Sequence, residues 1–215
     1  MRDRPGVRNN RCGVIAAALL VVLAACGSPQ QLAGTVGPIT GTTVSTSATP
    51  TSSPAPTIQY EPFLYDQAKG NTTGVDVLLE VPTGWPKAPT GTRYDFTSGG
   101  TLLRLDFSTP HGSALQNWQE EAADFASSHT GYKLVNDIHS INCPNGATGT
   151  GQTTDCADWE FTFTDTANGT TKHAIDRAIV VGNVGFAVYM SASAPQFAQA
   201  YKIFQHVSNS IKIGG

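Results

Sequence analysis

Between Trp159 and Ser191 the chain runs through three apolar stretches separated only by tight turns. Trp159, Phe161 and Phe163 alternate with Asp158, Glu160, Thr162 and Thr164. Ala167-Asn168-Gly169-Thr170 supplies turn chemistry before a second run, His173 to Val181. Gly182-Asn183 then turns the chain into a third run, Val184 to Ser191. Connections this short cannot make the crossover that a parallel pair needs, so the three runs predict an antiparallel meander. Any fold containing them is built on an antiparallel sheet.

The neighbouring segments supply the rest of such a fold. Val75, Val77, Leu79 and Val81 alternate with Asp76 and Glu80, and Pro82-Thr83-Gly84-Trp85-Pro86 stops that strand. Leu103, Leu105 and Phe107 alternate with Arg104 and Asp106, and Gly99-Gly100 reads as a hairpin turn between Phe96 and Leu102. Ser113 to Gln116 has the form of a capping box. Behind it Leu115, Trp118, Ala122 and Phe125 recur at helical spacing. Leu134 to Ile141 reads as a strand. Pro195 opens a final helix with Phe197, Tyr201, Phe204 and Ser208 on one face and Ile211 continuing it. The pattern predicts an α+β fold with helices packed on an antiparallel sheet.

The N-terminus carries an address. Arg2, Arg4, Arg8 and Arg11 precede an apolar run from Gly13 to Ala25, too short for a transmembrane span and suited to a signal peptide. The run ends in Leu23-Ala24-Ala25-Cys26-Gly27, a lipobox pattern in which small residues admit a signal peptidase and the Cys26 thiol takes a diacylglyceryl group. Each buried acyl CH₂ adds about 0.8 kcal/mol, so two or more chains anchor stably. The expected location is the extracytoplasmic face of the cell membrane. Gly27 to Tyr60 has no charged residue and is rich in Ser, Thr, Pro, Gly and Ala, which cannot bury enough apolar surface to offset ordering entropy. Such a tether reaches at most roughly 100 Å. The expected organisation is a signal peptide over 1–25, lipidated Cys26 and tether over 26–60, a lead-in over 61–74 and a globular domain over 75–215.

Cys12 leaves with the signal peptide, so Cys143 and Cys156 remain as an even pair in an exported domain and are expected to form a disulfide. The net charge of −3 becomes −6 once residues 1–25, with four Arg and one Asp, are removed. That acidity disfavours nucleic acid and provides no polybasic patch for lipid headgroups. The five histidines are scattered, with no zinc-binding pair, nucleophile elbow, phosphate loop or dinucleotide fingerprint. No catalytic residue, metal site or cofactor is therefore assigned. Asp155, Asp158 and Glu160 form the densest acidic cluster, of which Asp158 and Glu160 read as a solvated strand face; Arg177 is placed to pair with an acid across the sheet. Trp85, Trp118, Trp159 and Phe186 are the candidate lining of an apolar cavity, with Tyr189 and Phe204 beside them.

Val81-Pro82-Thr83-Gly84-Trp85, Asp158-Trp159-Glu160-Phe161, and Arg177-Ala178-Ile179-Val180-Val181-Gly182 with Gly185-Phe186-Ala187-Val188 resemble the PsbP-like (Mog/PsbP) fold. They are most similar to its actinobacterial versions, the LpqN-type lipoproteins and the extracellular domains of serine/threonine kinases. The resemblance spans about Val75 to Ile211 and implies an αβα sandwich whose members act mostly as binding or assembly modules. It transfers no catalytic residue. The reading is a non-catalytic interaction module in the cell envelope with a protein partner; the alternative is a lipid or small-molecule carrier with an apolar cavity, and the third is an envelope hydrolase.

Overall fold

The computed structural model describes residues 57–65, 75–144, 147 and 153–214. Cys26, the segment before it and nearly all of the expected tether lie outside these residues. The first strands are β1 (Tyr60–Tyr65), β2 (Asp76–Pro82), β3 (Lys87–Thr90), β4 (Arg93–Ser98) and β5 (Thr101–Ser108). Helix α1 (Ala114–Ser128) follows, then β6 (Lys133–Leu134), β7 (His139–Ile141) and β8 (Thr154–Thr164). The chain closes with β9 (Thr171–Val181), β10 (Val184–Ser193), α2 (Ala194–Asn209) and β11 (Lys212–Gly214).

An eight-stranded sheet runs β3-β4-β5-β10-β9-β8-β6, with β7 also paired to β8, and a three-stranded sheet runs β1-β2-β11. Every pairing is antiparallel. The expected meander is β8-β9-β10, with Trp159 opposite Asp176 and Ala187 opposite Ala178. At the β4–β5 turn, Gly99 and Gly100 both have positive φ (56° and 81°), the pairing that a two-residue hairpin of the right twist requires.

Period-two alternation divides the large sheet into two faces. On one face Leu103, Leu105, Ile179, Val188 and Met190 are buried against α2 and the small sheet, which brings Val77, Leu79 and Val81. On the other face Trp159, Phe161 and Ala174 are buried under α1. The architecture is the expected αβα sandwich, with the second outer layer shared between α2 and the small sheet. Cys143 and Cys156 are joined by a disulfide, Cα–Cα 5.3 Å, on the α2 side.

Both helices start where the sequence places them. Ser113 Oγ accepts from the Gln116 amide at 3.1 Å, but the Gln116 side chain turns to Glu120 (3.0 Å) and does not close the box. The neighbouring amide of Ala114 donates instead to Asp155 Oδ2 at 2.6 Å, which ties the helix start to β8. Four expectations change. The lead-in over 61–74 and the last residues of the tether open with β1, which pairs in register with β2, and Ile58 already packs on the core. The strand expected over Leu134–Ile141 is two short pieces, β6 and β7, both borne by the eleven-residue β8. Ile211 lies beyond α2: the helix ends at Asn209, and β11 adds to β2. Asp158 and Glu160 are not a solvated face; they look toward α2, where Asp158 binds Arg177 through two 2.7 Å hydrogen bonds and Glu160 binds His173 at 2.7 Å. Packing of α2 over that side of the sheet excludes the solvent that the sequence pattern assigned to it.

Candidate functional site

The face under α1 is covered over only part of its width. Among the described residues α1 rests mainly on β7, β8 and β9, and it leaves the matching faces of β5 and β4 uncovered. A groove of about 800 Å³ follows the helix edge. A row of opposed residues crosses the sheet, and four of its five members, Arg104, Tyr189, Asp176 and Trp159, line the groove. Asp95 lies opposite Arg104, Arg104 opposite Tyr189, Tyr189 opposite Asp176, and Asp176 opposite Trp159. Directly opposed residues share a face, so five strands each contribute one side chain to this row.

The row is paired at one end and unpaired at the other. Arg104 makes a bidentate bridge to Asp95, Nε to Oδ1 at 2.7 Å and Nη2 to Oδ2 at 2.9 Å, and lies 5.8 Å from the centre of the Tyr189 ring. That bond to Asp95 raises the guanidinium's pKa further and keeps it charged. Burial pushes the Tyr189 phenol up to about 12. Asp176 Oδ1 is shut off from solvent with no hydrogen-bond partner among the described residues. The Trp118 indole N–H donates to the Asp176 backbone carbonyl at 3.0 Å and does not serve Oδ1. Desolvation pushes the Asp176 carboxyl up to about 8; Arg104 pulls it down, while Glu121, Asp158 and Asp106 raise it further.

This makes stability depend on pH. A carboxyl whose folded pKa lies above its unfolded value of about 3.9 favours folding while protonated. Its contribution is full below about pH 4, declines as the unfolded chain ionises, and is gone above about pH 8. Asp176→Asn keeps the shape and removes the ionisation. Wild type and variant should melt close together at pH 4; at pH 9 the variant should be more stable by about 2 kcal/mol, roughly 4–8 °C in Tm. A difference that stays flat between those pH values overturns the assignment.

The four aromatic residues expected to line one cavity are divided between the two faces. Trp118 and Trp159 lie under α1 with ring centroids 5.8 Å apart and line the groove. Trp85 and Phe186 belong to the core on the α2 side, as does Phe204. The reason is register: Phe186 lies opposite Ile179 and Ile179 opposite Cys156, a row pointing away from Trp159. Tyr189 is the one other member of that aromatic set in the groove. Sequence reasoning passed over Asp176, the central residue of the site. Its signal was an acid on the same face as Ala174, Ala178 and Val180, an alternation otherwise apolar. Among the described residues no group of three or more His, Cys, Asp or Glu is placed to hold a metal ion, and no helix is long and apolar enough to cross a membrane.

Comparison with known proteins fits this architecture. No curated protein matches the chain. Among solved structures, LpqN, involved in cell envelope biogenesis of Mycobacterium tuberculosis, superposes with a TM-score of 0.52 at 11% identity, covering 74% of this chain and 92% of that one. Cyanobacterial PsbP (CyanoP) from Synechocystis sp. PCC 6803 gives a TM-score of 0.50 at 11% identity, covering 75% and 96%. At that identity the likeness establishes the fold alone, the PsbP-like fold that the sequence motifs resemble. The family model described as the serine/threonine kinase C-terminal domain matches residues 77–213, from the start of β2 to β11. With well over half of its length inside that match, the chain belongs to the serine/threonine kinase C-terminal domain family.

Proposed function

We propose that this chain is a non-catalytic binding module of the cell envelope, held on the extracytoplasmic face of the membrane by a diacylglyceryl group on Cys26. The groove beside α1 is its docking surface for an envelope partner. The observation that carries this reading is the half-covered sheet face, with an ordered row of opposed residues crossing it and an unpartnered carboxylate oxygen in that row. Native polar groups shut away from water are nearly always paired, and the exceptions call for an explanation such as a ligand. A tether between anchor and domain suits a module that must reach a partner away from the bilayer.

The carrier alternative draws less support, because its four proposed lining residues lie on opposite faces of the sheet. For a hydrolase, the His–carboxylate pair at the groove rim is His111–Glu120, 3.9 Å apart with side chains 77% and 54% exposed. Nothing there holds a histidine in place or excludes water from it.

The anchor is tested by fractionation. Cys26→Ala should release essentially all of the protein into the medium or the soluble envelope fraction. Membrane retention equal to wild type would overturn the anchoring half of the proposal and leave the groove untouched.

A further inference from the structure

We propose that the groove receives a basic peptide segment, with an arginine or lysine head group seated against the Asp176 carboxylate. The inference rests on the reading of the groove as the docking surface and names the chemistry of what docks.

Charge supplies the first argument. Glu121 and Asp124 on α1 and Asp106 on β5 line the groove with Asp176, and among the described residues none of the four is in an ion pair. The cations that line it, Arg93, Arg104 and Lys172, are outnumbered by its six acids. Arg104 is closed on Asp95; Arg93 lies 3.7 Å from the same carboxylate with its Nε lacking a hydrogen-bond partner among the described residues, and Lys172 Nζ donates to the neutral Gly100 carbonyl at 3.0 Å and keeps its charge. The field left over is negative and favours a cationic partner over an anionic one.

The second argument is the Asp176 oxygen itself. Asp176 lines the groove while its Oδ1, shut off from water, has no donor, so a guanidinium or ammonium N–H that reached it would complete its hydrogen bonding. The third is the surrounding surface. Trp118, Phe125 and Tyr189 present ring surface to the groove, which suits the aliphatic stem and the charged head of a basic side chain. The tether has no charged residue, so residues 27–60 cannot supply the cation.

Binding should be linked to a proton. Arg104 and Asp106 from β5, Glu121 from α1 and Asp158 from β8 act on Asp176, which in turn raises Tyr189 on β10, and burial with the acids holds Asp176 protonated up to about pH 8. A bound guanidinium requires the ionised form, so affinity should rise about tenfold between pH 7 and pH 9. His111 and His129 also line the groove.

The test uses the full chain in non-ionic detergent, titrated by calorimetry with an octapeptide alternating Arg and Ser, with its Glu-Ser counterpart, and with a neutral oligosaccharide. The Trp118 indole N–H, followed by NMR, reports occupancy of the groove. The Arg-Ser peptide should bind, shift the Trp118 signal, release close to one proton at pH 7 and gain about tenfold in affinity by pH 9. Asp176→Asn, with its fold checked by near-ultraviolet circular dichroism, should lose at least about tenfold at pH 9 and lose the pH dependence. Equal binding by wild type and Asp176→Asn would overturn the proposal. A Trp118 shift produced only by the oligosaccharide or the acidic peptide would overturn the basic partner and keep the groove as a docking surface. No Trp118 shift with any probe would overturn both.

Discussion

Trp159→Ala should destabilise the domain by about 3–5 kcal/mol, the largest loss expected from any single truncation under α1. Trp159 is 1% exposed and sits at the centre of an aromatic cluster. Its ring stacks on Phe161 at 4.1 Å, meets Phe125 edge-on at 5.6 Å and lies 5.8 Å from Trp118. The indole N–H donates to the Tyr132 hydroxyl at 3.2 Å. Truncation opens a cavity that α1 cannot close by settling, because the helix start is fixed to Asp155 and its middle to Asp176. Against a total stability of about 5–15 kcal/mol, that loss leaves a measurable unfolded fraction. Urea unfolding of the full chain measures it, with Trp85→Ala as the comparison. Trp85 is only partly buried at the edge of the other core and should cost far less. Equal losses for the two tryptophans would mean that α1 adapts to the cavity and that the groove wall is soft.

The elements with a clear period were legible in the sequence, and those without one were not. β8, β9 and β10 each run ten or eleven residues with apolar alternation, long enough for their pattern to be unambiguous. β1 and β3 carry Pro62 and Pro89, which lower any strand reading, and both are tolerated because these strands are sheet edges. β11 has three residues and no room for a period. The site was harder for a different reason. Alternation says which residues of one strand share a face, but only register says which residues of five strands share a row. Asp95, Arg104, Tyr189, Asp176 and Trp159 span positions 95 to 189, and nothing local links them. The acidic cluster was misjudged for a related reason. Asp158 and Glu160 look solvated on β8 alone; they are enclosed only because α2, more than thirty residues further on, packs over that side.

Asp158→Ala should cost about 3–5 kcal/mol, whereas replacing Asp158 and Arg177 together by apolar residues of similar volume should cost little or nothing. Each side chain of the pair is 13% exposed, the two are joined by two 2.7 Å hydrogen bonds, and the guanidinium lies 5.1 Å from the Phe204 ring centre. Removing the acid alone leaves a guanidinium in a desolvated place with no counterion. Removing both deletes the attraction and the desolvation cost together. A double-mutant cycle followed by urea unfolding separates these terms, and a non-additive coupling well above 1 kcal/mol is the expected result. The cycle also bears on the groove. Asp158 and Arg177 face α2, on the opposite side of the sheet from the Asp176 row, so a folded double variant should still bind the Arg-Ser peptide at pH 9, where Asp176 is ionised with or without the Asp158 charge. A double variant that folds to wild-type stability but loses peptide binding would mean that the sheet couples its two faces through β8 and β9. The row from Asp95 to Trp159 would then be only one part of the site.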